Sequence, residues 1–199
     1  MDEATLIRRC VEGDPRAQAE LYNVHSARVG RLLARLAGPG GDVDDLRQET
    51  FIQAYESIAA FRAESLLSTW LCSIAVRVAL GRRRKENRRR AILEAYGRAG
   101  SFLGLFSGKQ ASEDGAEELE RKHDAARFAY AVLDGLPDKF RQVLILHEME
   151  EMEGKEIAAI LGIKENTVWT RLHRARGLFK ARAAELGFTG VENGEPHEM

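Results

Sequence analysis

The apolar positions of the chain recur at helical spacing, and no stretch shows the alternation of a strand. Asp14 followed by Pro15 suits a helix start, and this helix is expected to run to about Ala37. Asp42 is expected to cap a second helix, and a third is expected to begin near Ser68. The third helix has a core-facing apolar stripe made of Leu71, Ile74, Ala75, Val78 and Ala79.

The second half of the chain continues the helical pattern after a break. Five glycines between Gly97 and Gly115 predict a linker over residues 96–124, although the apolar segment 102–106 favours packing on its own domain. A helix is predicted from Ala125 to Leu136, and further short helices follow Pro137. We therefore expect an all-α fold of two small helical domains, residues 1–95 and 125–187, joined by a flexible linker and followed by a disordered tail at 188–199.

The stretch from Glu156 to Leu172 predicts a helix-turn-helix, the most informative motif of the chain. Ala158 is small where two helices cross, and Gly162 can take the left-handed conformation that turns the chain. Ile163 and Val168 are expected to fill the angle between the two helices. The second domain is therefore predicted to be a helix-turn-helix domain.

The second helix of this motif, about residues 166–180, separates apolar from polar side chains. At about 100° per residue its core sector holds Val168, Leu172, Ala175 and Phe179. The opposite side has the layout of a recognition helix in a major groove, with Arg174 suited to a guanine edge. The further candidate DNA contacts are Asn166, Thr167, Trp169, Thr170 and His173, with Lys155, Lys164, Arg171 and Arg176 suited to phosphates.

Two alternatives stay open for this helix. The polar side could be the solvated face of an ordinary helix, although six basic residues against one acidic residue from Lys164 to Arg182 argue for DNA. Trp169 lies at the edge of the core sector, where a half-buried packing residue is the commoner role.

Composition and charge narrow the class of protein. The chain has 199 residues with a formal net charge of −1, and 44% of its residues are hydrophobic, which suits one or two globular domains. Its two cysteines form no disulfide framework or zinc motif, and its start has no apolar signal segment, so we expect a cytoplasmic protein without membrane insertion. The charges are segregated: residues 42–56 are acidic, whereas Arg82 to Arg90 holds seven bases in nine residues and suits a polyanion.

Two sets of motifs carry a family resemblance. Asp42-Val-Asp-Asp-Leu-Arg-Gln-Glu-Thr-Phe, with Phe61-Arg-Ala-Glu-Ser and Thr69-Trp-Leu-Cys-Ser-Ile-Ala, resembles region 2 of the extracytoplasmic-function sigma factors of bacterial RNA polymerase. Leu136-Pro-Asp-Lys-Phe-Arg-Gln-Val-Leu and the segment Glu156 to Arg176 resemble region 4. The resemblance covers nearly the whole chain apart from the linker and tail. It implies a promoter-specificity subunit that reads the minus-35 and minus-10 elements and helps to open the strands.

The resemblance also assigns roles to residues of the first half. The acidic helix would dock on the clamp helices of the largest polymerase subunit through Asp42, Asp45, Leu46, Gln48, Glu49 and Phe51. The third helix and the loop before it would capture the minus-10 strand through Arg62, Ser65, Trp70, Arg77, Arg82, Arg83, Arg84 and Arg88. The other implied partners are the polymerase flap, promoter DNA and an anti-sigma factor. Arg77, Gly81 and Trp169 depart from the usual pattern, so base preferences are not carried over from the family.

Other functions fit the sequence less well. A stand-alone repressor could use the same helix-turn-helix, but the acidic helix next to a Trp/Arg face argues against it. An enzyme is least supported, because the histidines show no metal spacing and no catalytic or cofactor motif is present. His147 and Cys72 are expected to be core residues.

Overall fold

A computed structural model describes residues 2–39, 41–95 and 116–187, which form helices and the turns between them. No strand occurs in these ranges, so the all-α prediction is confirmed. The first half contains α1 (Glu3–Val11), α2 (Pro15–Ala37), α3 (Val43–Ser57), a 3₁₀ turn (Ile58–Ala60) and α4 (Leu67–Ala95). The second half contains α5 (Ala116–Asp134), α6 (Asp138–Leu144), a π-helical turn (Ile145–Met149), α7 (Gly154–Leu161) and α8 (Glu165–Glu185).

Aspartate caps set the helix starts of the first half. Oδ1 of Asp14 accepts from the backbone N–H of Arg16 at 2.9 Å, and Oδ1 of Asp42 accepts from that of Asp45 at 3.1 Å. Each bond satisfies an amide that has no partner within its helix, so α2 and α3 begin as predicted. Asp2 caps α1 in the same way, although the sequence analysis did not predict this helix.

The first half packs around the apolar sides of α2, α3 and α4. Leu21 and Leu33 of α2 and Leu71 and Ile74 of α4 are fully buried. Phe51 of α3 joins this core, and its ring centroid lies 4.7 Å from that of Tyr22. Aromatic pairs at this separation add to the stabilisation that burial provides.

The second half has its own apolar centre, to which α6, α7 and α8 all contribute. Its fully buried side chains include Val143, Ile157 and Leu172. Gly162 takes the left-handed conformation (φ 63°, ψ 39°) and its N–H donates to the carbonyl of Ala158, as the helix-turn-helix prediction requires. The turn orients α8 across α7.

Two boundaries differ from the sequence prediction. The helix predicted to start at Ala125 starts at Ala116 instead, and the recognition helix extends to Glu185 rather than stopping near Lys180. The apolar segment 102–106 and the tail at 188–199 lie outside the described residues.

The two halves also pack against each other. Helix α4 lies against α7, and α2 contacts the π-helical turn, so the buried apolar cluster continues from one half into the other. None of the helices in the described ranges has both the length and the apolar character needed to cross a membrane.

Candidate nucleic-acid and polymerase interface

The face of α8 opposite the core is exposed. Val168, Leu172 and Ala175 are buried, and they fix the rotation of the helix about its own axis. The residues predicted to contact DNA that are exposed on this helix are Asn166, Trp169, Thr170, His173, Arg174 and Arg176. Because the core sector determines which side is left outside, this face follows directly from the apolar spacing.

Several predicted contacts on α8 already have partners within the protein. The hydroxyl of Thr170 donates to the carbonyl of Asn166 at 2.8 Å. Arg176 donates to Oε1 of Glu148 through Nε at 2.9 Å and Nη2 at 2.6 Å. Thr167 and Arg171 are half-buried, whereas Lys155 and Lys164 are exposed near the start of α7 and α8.

Trp169 lies where the recognition helix meets the rest of its domain. Its side chain is 45% exposed, and its ring packs edge-on against His147 with 5.7 Å between centroids. On the other side it contacts Gly154, the first residue of α7. The packing role therefore has support in the structure, while nearly half of the residue stays open to solvent.

The loop before α4 exposes polar side chains around a turn. Arg62 is exposed and Ser65 is half-buried, and Ala63 between them has a positive φ of 54°. A non-glycine residue in this conformation is uncommon and marks a sharply turned backbone. Trp70 is half-buried and packs against Phe61 with 5.3 Å between ring centroids, so much of its surface is occupied.

A groove between α3 and α4 brings the two sequence-predicted sites together. Its α4 wall includes Arg77, Gly81 and Arg82, whereas its α3 wall includes carboxylates and amides. Arg82 pairs with Asp45 of α3 at 3.8 Å and with Glu86 at 3.3 Å. Arg82, which is predicted to bind DNA, and Asp45, which is predicted to bind polymerase, are therefore neighbours.

The residues predicted for docking on α3 differ in exposure. Four predicted polar residues are exposed on α3 or at its N-cap: Asp42, Asp45, Gln48 and Glu49. Leu46 and Phe51 are 5% and 2% exposed, because they face the core between α2 and α4. Including these two among the docking residues was wrong, and they hold α3 in place instead.

The arginines in the basic segment of α4, Arg82 to Arg90, differ in how far their side chains are exposed to solvent. Arg84 and Arg88 are exposed, whereas Arg83 is only 17% exposed. Its guanidinium pairs with Asp134 and Asp138 of the second half at 2.7 and 3.0 Å. Arg83 is therefore occupied by carboxylates of its own chain in this structure.

Arg141 is the buried residue that the sequence analysis missed. It is 2% exposed, and its Nη1 donates to the carbonyl of Leu36 at 2.8 Å. Burial lowers the pKa of this guanidinium to about 10, and the nearby charge of Arg83 acts in the same direction. The sequence around Arg141 does not indicate this contact, because its partner Leu36 lies 105 positions away in the other half.

The two side chains predicted to be in the core differ in burial. Cys72 is fully buried, as predicted, and burial raises the pKa of its thiol. His147 is half-buried, with its Nδ1 3.3 Å from Oε1 of Glu148. Within residues 2–39, 41–95 and 116–187, no group of three or more His, Cys, Asp or Glu side chains could hold a metal ion.

Two segments of the chain match known protein families. Residues 21–89 match sigma-70 region 2, and residues 129–178 match sigma-70 region 4. The chain is 32% identical over 182 residues to the ECF RNA polymerase sigma-E factor of Escherichia coli K12, covering 88% of this chain and 91% of that protein. It is 31% identical over 182 residues to SigW of Bacillus subtilis 168, covering 90% and 96%.

Two solved structures share the fold. CnrH, in complex with the cytosolic domain of CnrY, has a TM-score of 0.58 and 23% identity over 91% of this chain and 96% of that chain. The sigma factor RpoE of Bartonella quintana, in complex with the anti-sigma factor NepR, has a TM-score of 0.57 and 20% identity over 83% and 96%. The family matches and the relatives of E. coli and B. subtilis show that the chain belongs to the extracytoplasmic-function sigma factors, the promoter-recognition subunits of bacterial RNA polymerase.

Proposed function

We propose that the two halves divide promoter recognition between them, with α8 reading the duplex minus-35 element. The observation that carries this assignment is the exposed face with Asn166, His173 and Arg174, opposite a fully buried stripe on the second helix of a helix-turn-helix. Arg174 has the donors to form a bidentate contact with guanine, and the exposed Lys155 and Lys164 suit flanking phosphates.

The first half would capture the minus-10 element as an unpaired strand. The turned loop at Arg62 to Ser65 and the exposed cations Arg77, Arg84 and Arg88 supply positive charge along one edge of α4, and Arg82 adds to it from the groove beside α3. Phosphates are attracted to such a track whatever their sequence, and a flipped base needs an adjacent pocket. The packing of Trp70 on Phe61 supports a role for this aromatic pair in shaping that pocket.

The exposed face of α3 would dock on the polymerase. Asp42, Asp45, Gln48 and Glu49 line it, and their carboxylates complement a basic coiled coil such as the clamp helices of the largest subunit. The second half would contact the flap. Polymerase would thereby fix the distance between two halves that each bind DNA weakly. When one half is bound, the effective concentration of promoter DNA at the other half is raised.

The remaining parts of the proposal concern location and control. The chain would act in the cytoplasm without catalytic chemistry of its own, and an anti-sigma factor would bind it. The solved complex of RpoE with the anti-sigma factor NepR supports this partner class.

Association with core polymerase tests the docking assignment. Asp45→Lys reverses a charge on the exposed face of α3, and we expect it to weaken polymerase binding because it would repel a basic partner. Glu12→Lys makes the same change on an exposed residue outside α3 and serves as the control. Binding of a minus-35 duplex, measured in the absence of polymerase, should stay unchanged in both variants. Equal polymerase affinity of Asp45→Lys and Glu12→Lys would contradict the docking role.

A stand-alone repressor would behave differently in the same experiment. It would bind a palindromic operator as a symmetric dimer and would not need polymerase.

A further inference from the structure

The π-helical turn before α7 contacts the recognition helix at two positions. His147 packs edge-on against Trp169, with 5.7 Å between the ring centroids. The next residue, Glu148, accepts two hydrogen bonds from Arg176. Because 3.6 residues make one turn of helix, residues 169 and 176 lie on the same flank of α8, about 10 Å apart along its axis. Two consecutive residues of the π-helical turn therefore support one flank of α8.

The backbone of the π-helical turn places these two side chains. The N–H of Glu150 donates to the carbonyl of Ile145 at 3.0 Å, a bond that spans five residues where an α-helix spans four. Ile145 and Leu146 are buried, and His147 and Glu148 follow them at the edge of the core. Single π-helical turns are rare and are frequently found at functional sites. A functional role of this turn would act through α8, which both side chains contact.

The pair of Glu148 and Arg176 leaves part of the guanidinium available. Nε of Arg176 lies 2.9 Å and Nη2 lies 2.6 Å from the same oxygen, Oε1 of Glu148. These bonds use two of the five N–H groups of the guanidinium, so three remain on the sides that Glu148 does not occupy. The Arg176 side chain is 53% exposed. A second acceptor can therefore reach the guanidinium while Glu148 holds it.

A phosphate oxygen of a DNA duplex is an acceptor of this kind. Arg176 is among the residues predicted to contact phosphates, and it lies beside the exposed face of α8. A free arginine side chain loses rotamer freedom when it binds a phosphate. Pairing with Glu148 removes part of that freedom before DNA arrives, so less is lost on binding.

The charge of Glu148 by itself would have the opposite effect. A carboxylate beside a phosphate backbone repels it, so a residue that acted only through its charge would weaken DNA binding. Removing such a charge would strengthen binding, whereas removing a group that orients Arg176 would weaken binding. The two possible roles of Glu148 therefore differ in the sign of their effect.

We propose that Glu148 is a positioning residue for DNA recognition, which orients Arg176 towards a phosphate beside the minus-35 element. His147 limits where this carboxylate can move, because its Nδ1 lies 3.3 Å from the same Oε1. The proposal rests on the proposed function, since Arg176 has a phosphate to bind only if α8 reads a duplex.

The test measures duplex binding by the full chain. The probes are upstream duplexes from promoter fragments that the chain and core polymerase select together from a random library, so the minus-35 sequence need not be known beforehand. Fluorescence anisotropy gives the affinity at a series of salt concentrations, and thermal unfolding checks that each variant is folded.

Three substitutions of carboxylates separate orientation from charge. We expect Glu148→Ala to weaken duplex binding about fivefold, the usual effect of one lost hydrogen bond. Glu148→Gln should stay within about twofold of wild type, because its amide oxygen still accepts from Arg176. The control is Glu185→Ala, which removes an exposed carboxylate that pairs with Arg182 on the same helix and should not weaken binding.

A double-mutant cycle separates orientation of Arg176 from damage to the domain. Arg176→Ala should weaken binding to all duplexes alike and reduce the slope of log affinity against log salt concentration by about 1. In that background Glu148→Ala should cause no further loss, whereas a damaged domain would bind less well in both backgrounds. If Glu148→Ala folds poorly, Arg176→Lys tests the same point with Glu148 intact. It keeps the charge but loses the planar fork, and it should also weaken binding.

Two results would overturn the proposal. One is a Glu148→Ala variant that binds duplex as tightly as wild type or more tightly. The other is an equal loss from Glu148→Ala with and without Arg176. A wild-type chain that selects no promoter fragment with core polymerase would contradict the proposed function itself, and the assignment of Arg176 to a phosphate with it.

Discussion

The indole of Trp169 lies so close to Gly154 that a Cβ at Gly154 would sit 2.5 Å from Cζ2. This contact joins the start of α7 to the recognition helix α8. The exposed Trp169 therefore has a structural role in addition to any contact with DNA, because its position depends on the absence of a side chain at residue 154.

Gly154→Ala tests that dependence. The added methyl forces the indole to move, and we expect a loss of about 1–3 kcal/mol in the free energy of unfolding, as for an overpacked core. Chemical denaturation measures this loss, and tryptophan fluorescence reports the movement. Gly177→Ala is the matched control on α8, because a Cβ there meets no atom within 4 Å. Unaltered fluorescence and stability in Gly154→Ala would show that the contact is not tight.

Arg174→Ala tests base reading by α8. If Arg174 contacts a guanine edge, its loss should cost about 1–3 kcal/mol and relax the preference at one base pair of the minus-35 duplex. Binding to a set of single-base variants measures both effects. Arg182→Ala removes an exposed arginine that pairs with Glu185 and should leave base preference unchanged. A uniform loss across all duplexes would instead assign Arg174 to a phosphate.

Gly81→Ala tests whether α4 needs a glycine for packing. A Cβ at Gly81 would meet no atom within 4 Å, so no steric reason for glycine exists in the described part of the chain. Replacement within a helix is expected to raise the free energy of unfolding by about 0.5–1 kcal/mol. Thermal denaturation measures the change. A destabilised variant would indicate a close contact at this groove position.

Glu150→Gln tests the effect of pH on the contact between the halves. Burial raises the pKa of Glu150 from its ordinary value of 4.5, and the charge of Arg35 opposes this shift. The folded state therefore holds this proton more strongly than the unfolded state, so the group's contribution to stability falls as pH rises from 4.5 through the raised pKa.

Urea unfolding at a series of pH values measures this contribution. Glu150→Gln should gain stability relative to wild type as pH rises through that window, whereas the exposed Glu153→Gln should follow wild type. Parallel pH curves for wild type and Glu150→Gln would contradict the shifted pKa.

Local physical rules made part of the structure predictable. Asp14, Asp42 and Gly162 act through bonds to residues within four positions, so the sequence alone indicates their roles. The exposed face of α8 follows in the same way, because Val168 and Leu172 share its buried side. Helix α1 was missed because its short sequence gives only two buried apolar positions, Leu6 and Cys10.

Contacts between distant residues were not predictable from the sequence. Leu46 and Phe51 are the exception, because their apolar character and helical spacing already indicate the buried side of α3, and the docking assignment did not take this into account. The pairing of Arg83 with Asp134 joins residues 51 positions apart. No spacing rule for a single helix can indicate such a pair, so arginines expected to be free for DNA were found in contact with the second half.

Transcription initiation in vitro tests the central claim most directly. Core RNA polymerase is combined with the purified chain on a library of promoter fragments, and strand opening and transcript formation are measured. The account predicts that the chain makes initiation depend on both elements and on their spacing. Absence of stimulation, together with occupancy of a palindromic site by the chain alone, would contradict it.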